Sequence, residues 1–215
     1  MSLSHAFLAM ERWFVCPPVY DRVFTWLSPR SLFRAALTCR GVYSAVADFK
    51  ARAFNINRHL SRYFTDPITF RSLQAKTNTL ISGSNALQFL DRTFYPEADL
   101  DLYTHPGHSF ELAQFLVEAE GYYYDARAGQ NEDWKRATAI NPNLTRRRVA
   151  EVRKGDPGHA YPTTGIVQVW TFSKEDTDQG RLIVQIIEAL SSPLEAILGF
   201  HSSMPRSWLR IVSVG

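Results

Sequence analysis

The alternating run Asp99-Leu100-Asp101-Leu102 constrains this chain more than any other feature. Strand periodicity places its two carboxylates on one face and its two leucines on the other. Residues two apart on a strand lie about 6.5–7 Å apart along the backbone, so the acids can converge on one hard cation or bridge a pair of them, and repel each other without a counterion. Ser84 stands fifteen residues before Asp99, at the end of Ile81-Ser82-Gly83-Ser84. Residues 79–82 read as a short apolar strand, Gly83-Ser84 as a turn, and 85–94 as a helix that buries Ala86, Leu87, Phe89 and Leu90 and takes Ser84 as its N-cap. A glycine turn ahead of a helix N-terminus lets an anion approach backbone amides closely. The expectation is a phosphate-sized hollow beside paired carboxylates.

This order of strand, Gly-Ser, helix and a strand carrying Asp-x-Asp resembles the nucleotidyltransferase fold of polymerase-beta-like and minimal nucleotidyltransferases. Gly83, Ser84, Asp99 and Asp101 carry the resemblance in residue type, order and spacing, most specifically over 80–103. It implies an α+β domain over 66–200, with a nucleotidyltransferase-like mixed sheet and flanking helices. It also implies magnesium-dependent transfer from a nucleoside triphosphate, with Gly83 and Ser84 holding the triphosphate and Asp99 and Asp101 holding the metal as the catalytic pair. Read without the family, Ser84 is a helix cap and the two acids are the solvated face of an edge strand.

The family's third acid belongs on a later strand in an apolar-acidic-apolar setting. The best strand is Arg181-Leu182-Ile183-Val184-Gln185-Ile186-Ile187-Glu188, and Gln185 occupies the expected place. A carboxamide offers a cation a lone pair without charge. Glu188 is the alternative ligand, but three places along a regular strand puts it on the opposite face. Asp176 and Asp178 fall in a polar turn, 174–180, joining 166–172 to 181–187 as a hairpin. Nucleotide binding is therefore expected ahead of turnover.

With 215 residues, 45% hydrophobic and 13% aromatic, the chain can bury a core and add a small module. A net charge of +3 is too small for a general nucleic-acid field. The local basic cluster Arg146, Arg147, Arg148, Arg153 and Lys154 reads as a solvated loop or short helix. Cys16 and Cys39 lack metal-ligand spacing, which fits a reducing compartment. No apolar run reaches the roughly 20 residues of a membrane span, so cytoplasm or nucleus is expected.

The first third reads as helical. Val19, Val23, Phe24, Trp26 and Leu27 form one apolar stripe, Ser28 and Pro29 start a second helix, and Val42 to Phe49 continue into a third. Over 17–50, Pro17-Pro18, Leu27-Ser28-Pro29-Arg30-Ser31-Leu32 and Leu37-Thr38-Cys39-Arg40 resemble an F-box-like module. That resemblance implies docking to the adaptor subunit of an SCF-type ubiquitin ligase through Val23, Leu27, Pro29, Leu32 and Leu37, and with it a non-catalytic adaptor role for the whole chain. A helical cap packed on the following domain reads equally from the residues. A basic, aromatic linker, 51–65, follows, with packing preferred to base stacking and a boundary expected at Asp66-Pro67. Ser109 is expected to cap a helix over 110–120 that stops at Gly121, and 122–124 to form a strand. His105 and His108 read as loop residues, Trp134 and Trp170 as core or rim aromatics, and 201–215 as an irregular, abbreviated end.

Overall fold

The computed structural model describes residues 16–139, 165–177 and 180–199. The basic cluster, Asp178 and the segment 201–215 lie outside them. By contact the chain falls into two units, one running through Ile56 and including Phe89–Thr93, the other made of Asn57–Gln88 and the residues from Phe94 on. The division by contact falls at the start of the helix Ile56–Leu60, and Asp66 is used locally: its carboxylate accepts from the Ile68 and Thr69 amides and caps a helix.

The first unit is built from α1 (Pro17–Phe24), α2 (Pro29–Ala36) and α3 (Arg40–Ala53). Prolines open α1 and α2, where a missing N–H costs nothing, and Ser28 caps α2 by accepting from the Ser31 amide at 3.2 Å. Tyr20, Phe24, Leu32, Val42, Ala45, Val46 and Phe49 close the core. Arg52 ties α1 to α3 through Asp21 at 2.6 Å and Asp48 at 2.7 Å, an exposed arrangement that fixes geometry more than it adds stability.

The second unit holds, apart from Ile56 and Phe89–Asp91, the elements α4 (Ile56–Leu60), α5 (Pro67–Thr77), β1 (Leu80–Ser82), α6 (Gly83–Asp91), β2 (Leu100–Thr104), α7 (Ser109–Gln114) with a π-helical turn Phe115–Ala119, β3 (Tyr123–Asp125), α8 (Trp134–Ala137), β4 (Ile166–Asp176), β5 (Gly180–Ala189) and α9 (Pro193–Leu198). Its architecture is α+β. The five strands form one mixed sheet in the order β1-β2-β5-β4-β3, with β2 and β5 parallel and the other pairs antiparallel. Leu100, Leu102, Phe172, Val184 and Ile186 share one buried face. On the other face, Leu80, Tyr103, Ile187 and Ala189 pack against Ala196 and Ile197 of α9.

Several local expectations shift. The α6 helix begins at Gly83 itself, so Ser84 sits in its first turn and does not cap it. The hairpin turn is shorter than expected because β4 continues to Asp176, which leaves Lys174 in a strand with its ammonium over the Tyr122 ring at 4.7 Å. The 110–120 helix is α-helical only to Gln114 and ends in the π turn. Ser109 does not cap it either, since its hydroxyl donates to Glu188 at 2.5 Å.

Candidate functional site

One row of the sheet is polar from edge to edge. Ser82 faces Asp101, Asp101 faces Gln185, Gln185 faces Thr171, and Thr171 faces Asp125, so side chains from all five strands stand on the same face. The neighbouring row on that face, Leu80, Tyr103, Ile187 and Val169, belongs to the α9 core. The polar row thus lies where apolar covering stops.

At one end of the row the Gly83 turn, Asp99 and Asp101 come together. Gly83 has φ +74, which favours glycine, and a Cβ built on it would overlap Oδ2 of Asp101, so any side chain here would displace that carboxylate. The Ser84 hydroxyl, one residue on, has no hydrogen-bond partner among the described residues. Burial, and after it the charge of Asp99, pushes the Asp101 carboxyl up to about 7. Gln185 donates through Nε2 to Oδ2 of Asp99 at 3.0 Å. The amide therefore sits against the acidic pair, as the strand register anticipated. Asp99 and Asp101 are the residues able to hold a divalent cation here, and such a charge would oppose both the burial and the Asp99 charge that raise the Asp101 carboxyl.

Three residues that the sequence did not single out fasten this corner. His59 Nε2 lies 2.8 Å from Asn85 Oδ1, Asn85 Nδ2 donates to the Tyr63 hydroxyl at 2.9 Å, and that hydroxyl donates to the Ala98 carbonyl at 2.6 Å. Asn85 is fully buried and Tyr63 nearly so. The relay joins the residue just past Gly83-Ser84 to the residue just before Asp99. Its only trace in the sequence is an Asn on the first turn of the helix, next to the apolar Ala86 and Leu87.

The remaining candidates lie elsewhere. Glu188 is on the opposite face, where burial raises its carboxyl and Ser109 binds it; as a ligand beside Asp99 and Asp101 it is excluded by the strand's alternation. Among the described residues no three His, Cys, Asp or Glu side chains are grouped to hold a metal. Asp176 ends β4, and His108 lies 3.8 Å from Glu111. Trp170 is buried in the sheet, and Trp134 tilts against Phe110. The aromatic and basic linker residues are used in packing: Phe64 stacks on Phe70 at 4.1 Å, and Arg62 donates to the Tyr95 and Pro96 carbonyls.

In the helical unit, Val23, Pro29 and Leu37 are exposed and Leu27 is half-buried, whereas Leu32 is 1% exposed and belongs to the core. Leu32 thus belongs to the core of the unit and also forms part of the floor of a groove. Pro29, Leu32 and Leu37 line this apolar groove of about 440 Å³ together with the exposed Phe33 and Tyr43.

No known protein family, curated protein or solved structure matches the chain. No helix among the described residues is long and apolar enough to cross a membrane.

Proposed function

We propose that the second unit is a nucleotidyltransferase-like domain that binds a nucleoside triphosphate at the Gly83 turn with magnesium held by Asp99 and Asp101. The observation that carries this reading is the fit of Gly83 against Asp101: a bare glycine elbow opens directly onto a half-buried pair of carboxyl groups, one of which burial and the charge of its neighbour push up to about 7. Bound there, magnesium would neutralise the phosphates and the carboxylates together. Amides of the first turn of α6 and the Ser84 hydroxyl would bind phosphate oxygens. In the transfer an acceptor oxygen forms a bond to the α-phosphorus, the bond to pyrophosphate breaks, and the acceptor proton leaves to solvent. Gln185 cannot take that proton and adds no charge to the metal site. Binding is accordingly ranked ahead of turnover.

The test is incubation of the full chain with a labelled nucleoside triphosphate and magnesium. Pyrophosphate release that Asp99→Asn with Asp101→Asn abolishes supports the reading; release unchanged in the double variant rules this site out. Should nucleotide bind without release, the domain is a nucleotide-binding relic of the fold.

The groove of the helical unit supports a second reading, an F-box-type adaptor that links a client to an SCF ubiquitin ligase. Phe33 is 65% and Leu37 72% exposed there, a patch that a protein partner would cover. Purified adaptor subunit binding that Leu37→Asp weakens would uphold it.

A further inference from the structure

The polar row does not end at Gln185. Strands about 4.8 Å apart put Thr171, two strands from Asp101, about 10 Å away on the same face. Arg127 reaches this point from the segment after β3: its Nη2 donates to Thr171 Oγ1 at 3.1 Å. The backbone there is pinned, since the Arg127 amide donates to Gln130 Oε1 at 3.0 Å while Gln130 Nε2 donates to the Val169 carbonyl at 2.8 Å. The carboxylate of the row's last residue, Asp125, is already engaged by Arg181 at 2.8 Å, and Arg181 also reaches Ser173. Among the described residues Arg127 therefore has no carboxylate partner; its one side-chain contact is a neutral hydroxyl. A guanidinium presents five donors in a planar fork suited to carboxylate or phosphate, and one of them is used here.

We infer that Arg127 and Thr171 form an oxyanion subsite toward the far end of the row, two strands or about 10 Å from Asp101, and that the second substrate carries a phosphate or carboxylate that reaches it. The row is graded: two carboxylates suited to a cation at one end, the neutral Gln185 and Thr171 in the middle, and at the other end the Asp125–Arg181 pair with the exposed Arg127 guanidinium, which has no carboxylate partner among the described residues. With a triphosphate seated at Gly83, the acceptor is left the Arg127 end. A neutral acceptor would leave that guanidinium unmatched. The assignment of this anion to an acceptor rests on the nucleotidyl-transfer reading, whereas the oxyanion subsite does not.

The experiment is a side-chain NMR titration of the full-length protein at constant ionic strength, with inorganic phosphate, acetate or chloride as probe. The Arg127 Nε–H resonance is identified by its loss in Arg127→Gln. Saturable shifts of that resonance with phosphate or acetate, absent with chloride, are expected. The tighter of the two names the acceptor's group. Thr171→Val should weaken the binding about threefold to tenfold, in line with loss of one hydrogen bond, and Asp99→Asn with Asp101→Asn should leave it within about twofold, the distance being near a Debye length. A response that stays linear in concentration, equals that of chloride, or involves residues away from Thr171 overturns the subsite. Absence of magnesium-dependent pyrophosphate release sinks the nucleotidyl-transfer reading alone, so the two failures are distinguishable.

Discussion

A side chain on Gly83 and the carboxylate of Asp101 compete for the same space: a Cβ at residue 83 would overlap Oδ2 of Asp101. The positive φ of +74 adds a second penalty. Gly83→Ala should destabilise the protein by about 1–3 kcal/mol. Adding Asp101→Ala to it should recover the steric part and leave the backbone part. Denaturant midpoints of the two singles and the double separate the contributions.

Asp101 makes stability depend on pH in an unusual direction for an acid. Its folded value of about 7 lies above its ordinary value of 3.8, so the native state holds this proton more tightly than the unfolded chain does. The resulting stabilisation is fully present below pH 3.8 and is lost as pH rises through 7. Asp101→Asn should therefore have a melting temperature that gains on wild type by a few degrees between about pH 5 and pH 8. Calorimetric scans across that range check it. Parallel pH profiles for the two proteins would contradict it.

Gln185→Glu should convert the amide beside Asp99 into a third negative charge. Without divalent cation the variant should melt below wild type, because like charges crowd a half-buried site. With magnesium the order should reverse, since ligand bound only to the native state stabilises it. Thermal scans with magnesium and with chelator read both effects. No magnesium dependence in either protein would count against a cation site at this corner.

Tyr63→Phe should strand two buried groups, the Asn85 amide and the Ala98 carbonyl. A loss of about 1–3 kcal/mol follows from leaving such groups unpaired. Carbon-13 carboxyl spectra of Asp99 and Asp101 should shift in the same variant, because the relay fixes the start of β2. A stability loss without a carboxyl shift would reduce the relay to packing.

Leu32→Asp and Leu37→Asp should behave differently despite their proximity in sequence. Leu32 fills the core of the helical unit, so burying a charge there should unfold it, while Leu37 stands 72% exposed and should tolerate the change within about 0.5 kcal/mol. Circular dichroism on both variants decides. Only Leu37→Asp is then useful for testing adaptor binding.

Much of the local structure was legible because it follows from periodicity. The alternation of Asp99 to Leu102 fixed which side chains share a face, Ser28-Pro29 marked a helix start, and the β4-β5 hairpin followed from two apolar runs around polar residues. Capping by serine was the weaker inference: Ser84 falls inside its helix and the Ser109 hydroxyl binds Glu188, since a tertiary partner can outcompete a local cap. The apolar stripe did not say that Leu32 is the member most deeply packed, because which residues face inward depends on how three helices close on one another.

The residues by themselves determined the carboxylate pair, the glycine elbow and the displacement of Glu188 to the other side of its strand, because backbone geometry of period two suffices for each. Only the folded sheet decided that Gln185 lies against Asp99, that Arg127 reaches Thr171, and that Tyr63 and Asn85 lock the corner. Those partners are separated by dozens of residues, and strand order and register, which depend on how the whole core closes, bring them together.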